Sequence, residues 1–162
     1  MQKQSSMSGS VMADDEVVEV LNDLVETSKD GEYGFRVCAE HAKSAELKRI
    51  FERHSAECRT GAQELQTLVA EYGGKPEAGG TVAGAMHRGW LAVRGTVALN
   101  DDLSMLEECE RGEDTAKNAY RKALKKDLPP SVLTVVQRQA EGVQRNHDEI
   151  KALRDQMRAA SK

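Results

Sequence analysis

Three stretches of this sequence set carboxylates and imidazoles at helical spacing. They are Asp30-Gly31-Glu32-Tyr33-Gly34-Phe35, His54-x-x-Glu57 and Glu110-Arg111-Gly112-Glu113-Asp114. A fourth, Gln144-x-x-His147, pairs an amide with an imidazole. Residues three or four apart share one face of a helix, and mixed carboxylate and imidazole donors suit iron or manganese. The candidate metal ligands are therefore Glu32, His54, Glu57, Glu110, Glu113 and His147. Leu103, Leu106, Tyr120 and Leu124 form an apolar stripe; steps of three and four along it land on Glu110 and then on Glu113 or Lys117. A buried carboxylate without a partner is costly or takes up a proton, so acids on a core stripe call for partners at the same height.

Plainer readings stand beside these. Glu110 and Glu113 also fit a solvated face paired with arginines such as Arg111, and His147, between Val143 and Ile150, fits a hydrogen-bonded core histidine. His54 and Glu57 (or Cys58) compete for one inward direction. His87 reads as packing or surface and His41 as exposed. Tyr33, Tyr72 and Tyr120 read as packing residues, although a tyrosine beside a redox metal can donate an electron. Cys38, Cys58 and Cys109 read as small core hydrophobes.

Four long helices must position these groups. With 162 residues, 39% hydrophobic, 4% aromatic and three prolines, the chain has the composition of a single helical bundle. Residues 1–13, rich in Ser and Gln, are expected to be a flexible tail, and residues 14–160 the bundle. Asp14-Asp15-Glu16 supplies a cap for helix A, which runs to about Ala42. Asp30 to Gly34 could form a turn, but Leu24 and Phe35 lie eleven residues apart, about three turns, so the apolar phase survives the glycines. Helix B spans about Ala45 to Tyr72 and stops at Gly73-Gly74-Lys75-Pro76. Thr81 to Val97 is a helix-compatible segment within a long crossover, with Trp90 as a packing anchor. Helix C covers about Asp102 to Lys126. Helix D follows Pro129-Pro130 and ends near Met157.

Helix arithmetic tests whether the polar positions meet. Glu32 and His54 each lie about eleven residues from the A–B turn, and Glu110 and His147 about eighteen and nineteen from the C–D turn. At 1.5 Å per residue, both pairs share one height if the turns sit at opposite ends, and miss by about 10 Å if they share an end. A crossover spanning the bundle is therefore expected. Gly31 or Gly34, Gly61, Gly112 and Gly142 fall near this height, which suggests close backbone approach or room for bulky groups.

This arrangement, with the Asp30–Phe35 and Glu110–Asp114 stretches and His87-Arg88-Gly89-Trp90, resembles the ferritin-like superfamily over about residues 14–157. More closely, it resembles a bacterial four-helix-bundle family of unknown function. The resemblance implies an all-α, ferritin-like four-helix bundle with a long B–C crossover containing a short helix. The superfamily pattern holds two metal ions with one Glu on each of two helices and a Glu-x-x-His on the others. This chain has no Glu-x-x-His: His54-x-x-Glu57 is reversed, and Gln144 stands where a carboxylate is expected. One ion, two ions or none are all compatible with that pattern, with Glu110 and Glu113 able to supply a missing ligand. If two irons bind with an open position, oxygen-dependent iron oxidation is implied.

The net charge of −4 and the lack of a dominant basic face argue against nucleic acid. No apolar run nears the roughly 20 residues that span a membrane. Three scattered cysteines and no secretory pattern at the N-terminus suit the cytoplasm. The expectation is a ferritin-like metal-binding protein whose partners are metal ions and further copies of itself. The alternative is a metal-free structural or stress-related bundle that forms a homo-oligomer. Whether it is an enzyme stays open.

Overall fold

A computed structural model describes residues 12–76, 90 and 101–161 of the protein. Among the described residues there are four helices and no strand: α1 (Asp14–His41), α2 (Ala45–Glu71), α3 (Asp102–Leu124) and α4 (Pro130–Ala160). None of these helices is long and apolar enough to cross a membrane. The flexible-tail expectation for residues 1–11, the short crossover helix and His87 fall outside the described residues.

Local chemistry explains the helix ends. Ser44 caps α2 by accepting the Leu47 N–H at 3.2 Å, and Asp101 caps α3 by accepting the Ser104 N–H at 2.7 Å. Pro129 and Pro130 open α4, where a missing N–H costs nothing. At α1 the expected acidic cap is corrected: Ala13 holds that position, and Asp14, Asp15 and Glu16 fill the first turn. Glu16 reaches back to accept the Ala13 N–H at 3.2 Å, while all three charges complement the helix dipole. α1 runs unbroken through Gly31 and Gly34, because Leu24, Ser28, Phe35 and Cys38 stay on one buried stripe.

Cross-links between helices fix the topology. Ser28 faces Tyr120 and Cys38 faces Cys109, so moving up α1 means moving down α3. His54 meets Glu149 while Glu64 meets Gln139, so α2 and α4 are antiparallel too. At one end the Asp102 carboxylate accepts the Lys43 and Ser44 N–H groups at 2.9 and 3.0 Å, setting the start of α3 beside the α1–α2 turn. At the other, Met12 N–H donates to Asp127 O at 3.3 Å, setting the α3–α4 turn beside the start of α1. The two turns are at opposite ends, and the chain between Pro76 and Asp101 joins opposite ends of the bundle.

Asp102 thus satisfies two turn donors with one carboxylate. Asp102→Ala is expected to cost about 1–3 kcal/mol, the usual penalty for unsatisfied donors beside a lost charged acceptor, read as a lower urea midpoint. Asp102→Asn, which keeps one acceptor oxygen, should lose about half as much.

The apolar core is divided. One cluster, around Phe35, Phe51, Met105, Leu106 and Ile150, fills the end near the α1–α2 turn. The other, around Leu21, Leu24, Leu65, Val132 and Val136, fills the opposite end. Between them, on all four helices, lie the acids and histidines.

Candidate metal centre

The central layer contains two clusters. In the first, His54 of α2 is fully buried. Its Nε2 lies 2.7 Å from Glu149 Oε1 of α4, and its Nδ1 lies 3.9 Å from Glu113 Oε2 of α3. The shorter contact is a hydrogen bond; the longer is not. When His54 is neutral this contact favours the proton on Nε2, and Nδ1, which has no hydrogen-bond partner, then turns a lone pair toward the buried Glu113 carboxylate. Edge-on packing of Phe35, its ring centroid 4.8 Å from that of His54, closes the imidazole off from water.

The second cluster occupies the α3–α4 seam. His147 Nε2 lies 2.8 Å from Asp114 Oδ1 and 4.0 Å from Glu110 Oε2. Arg154 grips the other oxygen of Glu110. One ligand atom each from Glu110, Asp114 and His147 falls within 4.8 Å of the others, the only such triad of metal-binding side chains among the described residues.

The remaining candidates are placed differently. Glu32 is buried at this height, but its oxygens turn to Lys29 at 3.1 Å and Arg59 at 3.8 Å. Glu57 is exposed on α2 and accepts from Asn146 Nδ2 at 2.9 Å, while Cys58 takes the inward direction. Gln144 donates to Asp148 Oδ1 at 2.9 Å, the same oxygen that lies 3.3 Å from His147 Nδ1, so it stands behind the second cluster rather than offering a donor to it. His41 is partly buried at the end of α1, with Nδ1 2.9 Å from Val37 O. Arg111 pairs with Glu108, a buried acid that the helix stripe did not single out, rather than with Glu110 or Glu113. Two further participants, Asp114 and Glu149, also escaped that stripe. Asp114 stands one turn beyond Glu110, a signal that was available; Glu149 lies off the inward face of α4 and had none.

Electrostatics ties the clusters together. Burial opposes a charge on His54, yet the Glu113 and Glu149 carboxylates prevail and lift its pKa above 6.5. Burial raises the Glu113 pKa, and the neighbouring His54 and His147 only partly offset this. Both groups therefore hold protons more tightly folded than unfolded, so the native state binds more protons and loses stability as pH rises. The Glu113 contribution is complete below its ordinary 4.5 and the His54 contribution below 6.5; each is lost as pH climbs through the raised folded value. Metal-free protein should show a urea midpoint that falls between pH 6 and pH 8. Glu149→Gln, which removes one source of the His54 shift, should flatten that fall.

Trp90 holds the layer open on its α1–α3 side. A Cβ on Gly34 would lie 2.3 Å from the indole, and one on Gly112 2.2 Å from it. The ring is thus sandwiched between two helix backbones, and Phe35 packs edge-on against it at 5.0 Å. This is the packing reason for those two helix-interior glycines. Gly61 and Gly142 have no such neighbour: added Cβ atoms there meet only the Gln139 and Arg145 side chains, at 3.6 and 3.5 Å.

The model of a family described as a domain of unknown function, DUF2383, matches residues 16–126, more than half of the chain. The chain belongs to the DUF2383 family. The match takes in α1 to α3 with Glu32, His54, Glu110, Glu113 and Asp114, and stops before α4. In this DUF2383 protein, α4 nevertheless supplies His147 to one cluster and Glu149 to the other. None of the curated proteins matches it. Among solved structures, it is similar to a bacterioferritin-related dodecameric thioferritin from Bacteroides fragilis, with 17% identity, TM-score 0.75, and coverage of 95% of this chain and 93% of that one. It is also similar to a variant of Dps1 from Mycobacterium smegmatis, with 14% identity, TM-score 0.72 and coverage of 88% and 97%. The tetragonal form of Dps from the same organism gives 14% identity, TM-score 0.72 and 86% coverage of both chains. At such identities the likeness establishes the fold, a ferritin-like four-helix bundle.

Proposed function

We propose that this protein binds a divalent metal ion, iron or manganese, in its central polar layer. The observation that carries this reading is the Glu110, Asp114 and His147 triad, whose ligand atoms lie within 4.8 Å of one another on the seam of two rigid helices. Two carboxylates and one imidazole form a donor set suited to those metals and leave coordination positions open. Arg154 holds one oxygen of Glu110 and so orients the other toward His147. A second donor pair is His54 Nδ1 and Glu113, both buried and 3.9 Å apart, where a cation would take the place of the protons the two groups hold. Glu149 orients that imidazole through Nε2, as an outer carboxylate does for a ligating histidine. Glu32 and Glu57 contribute negative charge at the same height rather than donor atoms. Iron held in the layer supplies one-electron exchange with oxygen, so oxidation of Fe(II) is the proposed activity. Assembly into a homo-oligomer is proposed with it, supported by the dodecameric thioferritin of the same fold.

The second reading is a metal-free structural bundle. It is favoured by the internal pairing of Glu110 with Arg154, Glu32 with Lys29, and His54 with Glu149. Calorimetric titration of the purified protein with Mn(II), or with Fe(II) without oxygen, separates the two. At least one ion per chain, with Asp114→Asn removing the tightest step, supports metal binding. No heat of binding and an unchanged melting temperature support the structural reading.

A further inference from the structure

Cys38 of α1 and Cys109 of α3 face each other across an antiparallel seam, Sγ to Sγ 3.7 Å, and each is at most 1% exposed. Trp90, lodged between Gly34 and Gly112 about one turn away, fills the same seam and restrains the two helices from sliding past one another. The sulfurs are thus held opposite each other at high effective concentration. The third cysteine, Cys58, lies on α2 against Gly31 and is only partly buried.

We propose that Cys38 and Cys109 are a modification site: an intramolecular disulfide that clips α1 to α3, formed by a small hydroperoxide such as hydrogen peroxide. The sulfur of one residue, as thiolate, attacks the peroxide; an S–O bond forms, the O–O bond breaks, and water leaves with the available proton. The sulfur of the other then attacks the resulting sulfenic acid; the S–S bond forms, the S–O bond breaks, and a second water leaves. Two thiols and one hydrogen peroxide thus give one disulfide and two waters, the peroxide taking up both electrons. Both sulfurs are buried, so the peroxide reaches them slowly. Once formed, the bond closes a loop between residues 71 positions apart, which restricts the unfolded chain more than the folded one. Cys109 directly precedes Glu110, so the clip anchors α3 beside the candidate metal donors without using any of them.

The test uses the full chain treated with hydrogen peroxide, quenched, alkylated under denaturing conditions and mapped by mass spectrometry. The expected result is a loss of two hydrogens in intact mass and a cross-linked peptide pair joining Cys38 to Cys109. It should be accompanied by a melting temperature raised by several degrees and restored by dithiothreitol. Cys58→Ser should keep the mass change, while Cys109→Ser should lose it. Separately alkylated Cys38 and Cys109 peptides after prolonged exposure would overturn the proposal, as would pairing through Cys58 or sulfinic acid at either position. The wild-type peptide map decides the matter even if Cys109→Ser does not fold.

Discussion

Gly112→Ala will destabilise the protein by about 2–3 kcal/mol, the scale of overpacking a tight core, although alanine is the better helix former by about 1 kcal/mol. The added Cβ would lie 2.2 Å from Cε2 and 2.4 Å from Cζ2 of Trp90. The indole cannot retreat, because Gly34 of α1 is equally close on its other face. Relief therefore requires α1 and α3 to separate, which loosens the cluster around Phe35 and Leu106. A control sharpens the expectation. Gly142→Ala adds a Cβ 3.5 Å from the flexible end of Arg145, so helix propensity alone acts there and stability rises by up to about 1 kcal/mol. Urea melts of the two variants should shift in opposite directions. Trp90→Leu in the Gly112→Ala background should recover part of the loss, since a smaller side chain leaves room for the methyl group.

His147→Ala is expected to weaken Mn(II) binding by roughly 100-fold or more, because it removes the one nitrogen donor of the α3–α4 triad where even outer-shell changes cost 10–100-fold. Gln144, one turn earlier on α4, does not replace its imidazole, because that amide is tied to Asp148 at 2.9 Å. The effect should also appear as lost protection. A ligand at 100 times its dissociation constant stabilises the folded state by about 2.7 kcal/mol, so Mn(II) should raise the melting temperature of the wild-type protein and leave that of the variant nearly unchanged. The metal-free variant should itself melt below wild type, since His147 is buried and bonded to Asp114, so the metal effect is read as the shift that Mn(II) adds within each protein.

The helices were legible because their signals are local and periodic. The stripe from Leu24 to Phe35 crosses two glycines in phase, and Ser44, Asp101 and Pro130 sit where helices begin. The spanning connection was legible from counting alone, since only turns at opposite ends bring Glu32, His54, Glu110 and His147 level. What spacing could not resolve was direction around each helix. His54 points inward, and its neighbour one turn on is Cys58 rather than Glu57 because the step of four, not three, follows the buried face of α2. Glu32 lies at the right height, yet Lys29 and Arg59 draw its oxygens aside. Glu149 reaches His54 from the flank of α4, off the apolar stripe and therefore without periodic signal. Among the glycines, Gly34 and Gly112 marked a crowded level, where the crowding body is the indole of Trp90, brought from a distant part of the chain, whereas Gly61 and Gly142 are not crowded.

The central requirement is a cation held where α3 and α4 meet. Anomalous difference maps of crystals grown with Fe(II) or Mn(II) and collected at that metal's absorption edge address this directly. A peak within bonding distance of Glu110, Asp114 and His147 is the predicted result. Metal-loaded crystals with density there explained by the side chains alone, and peaks only on outlying carboxylates, would contradict it.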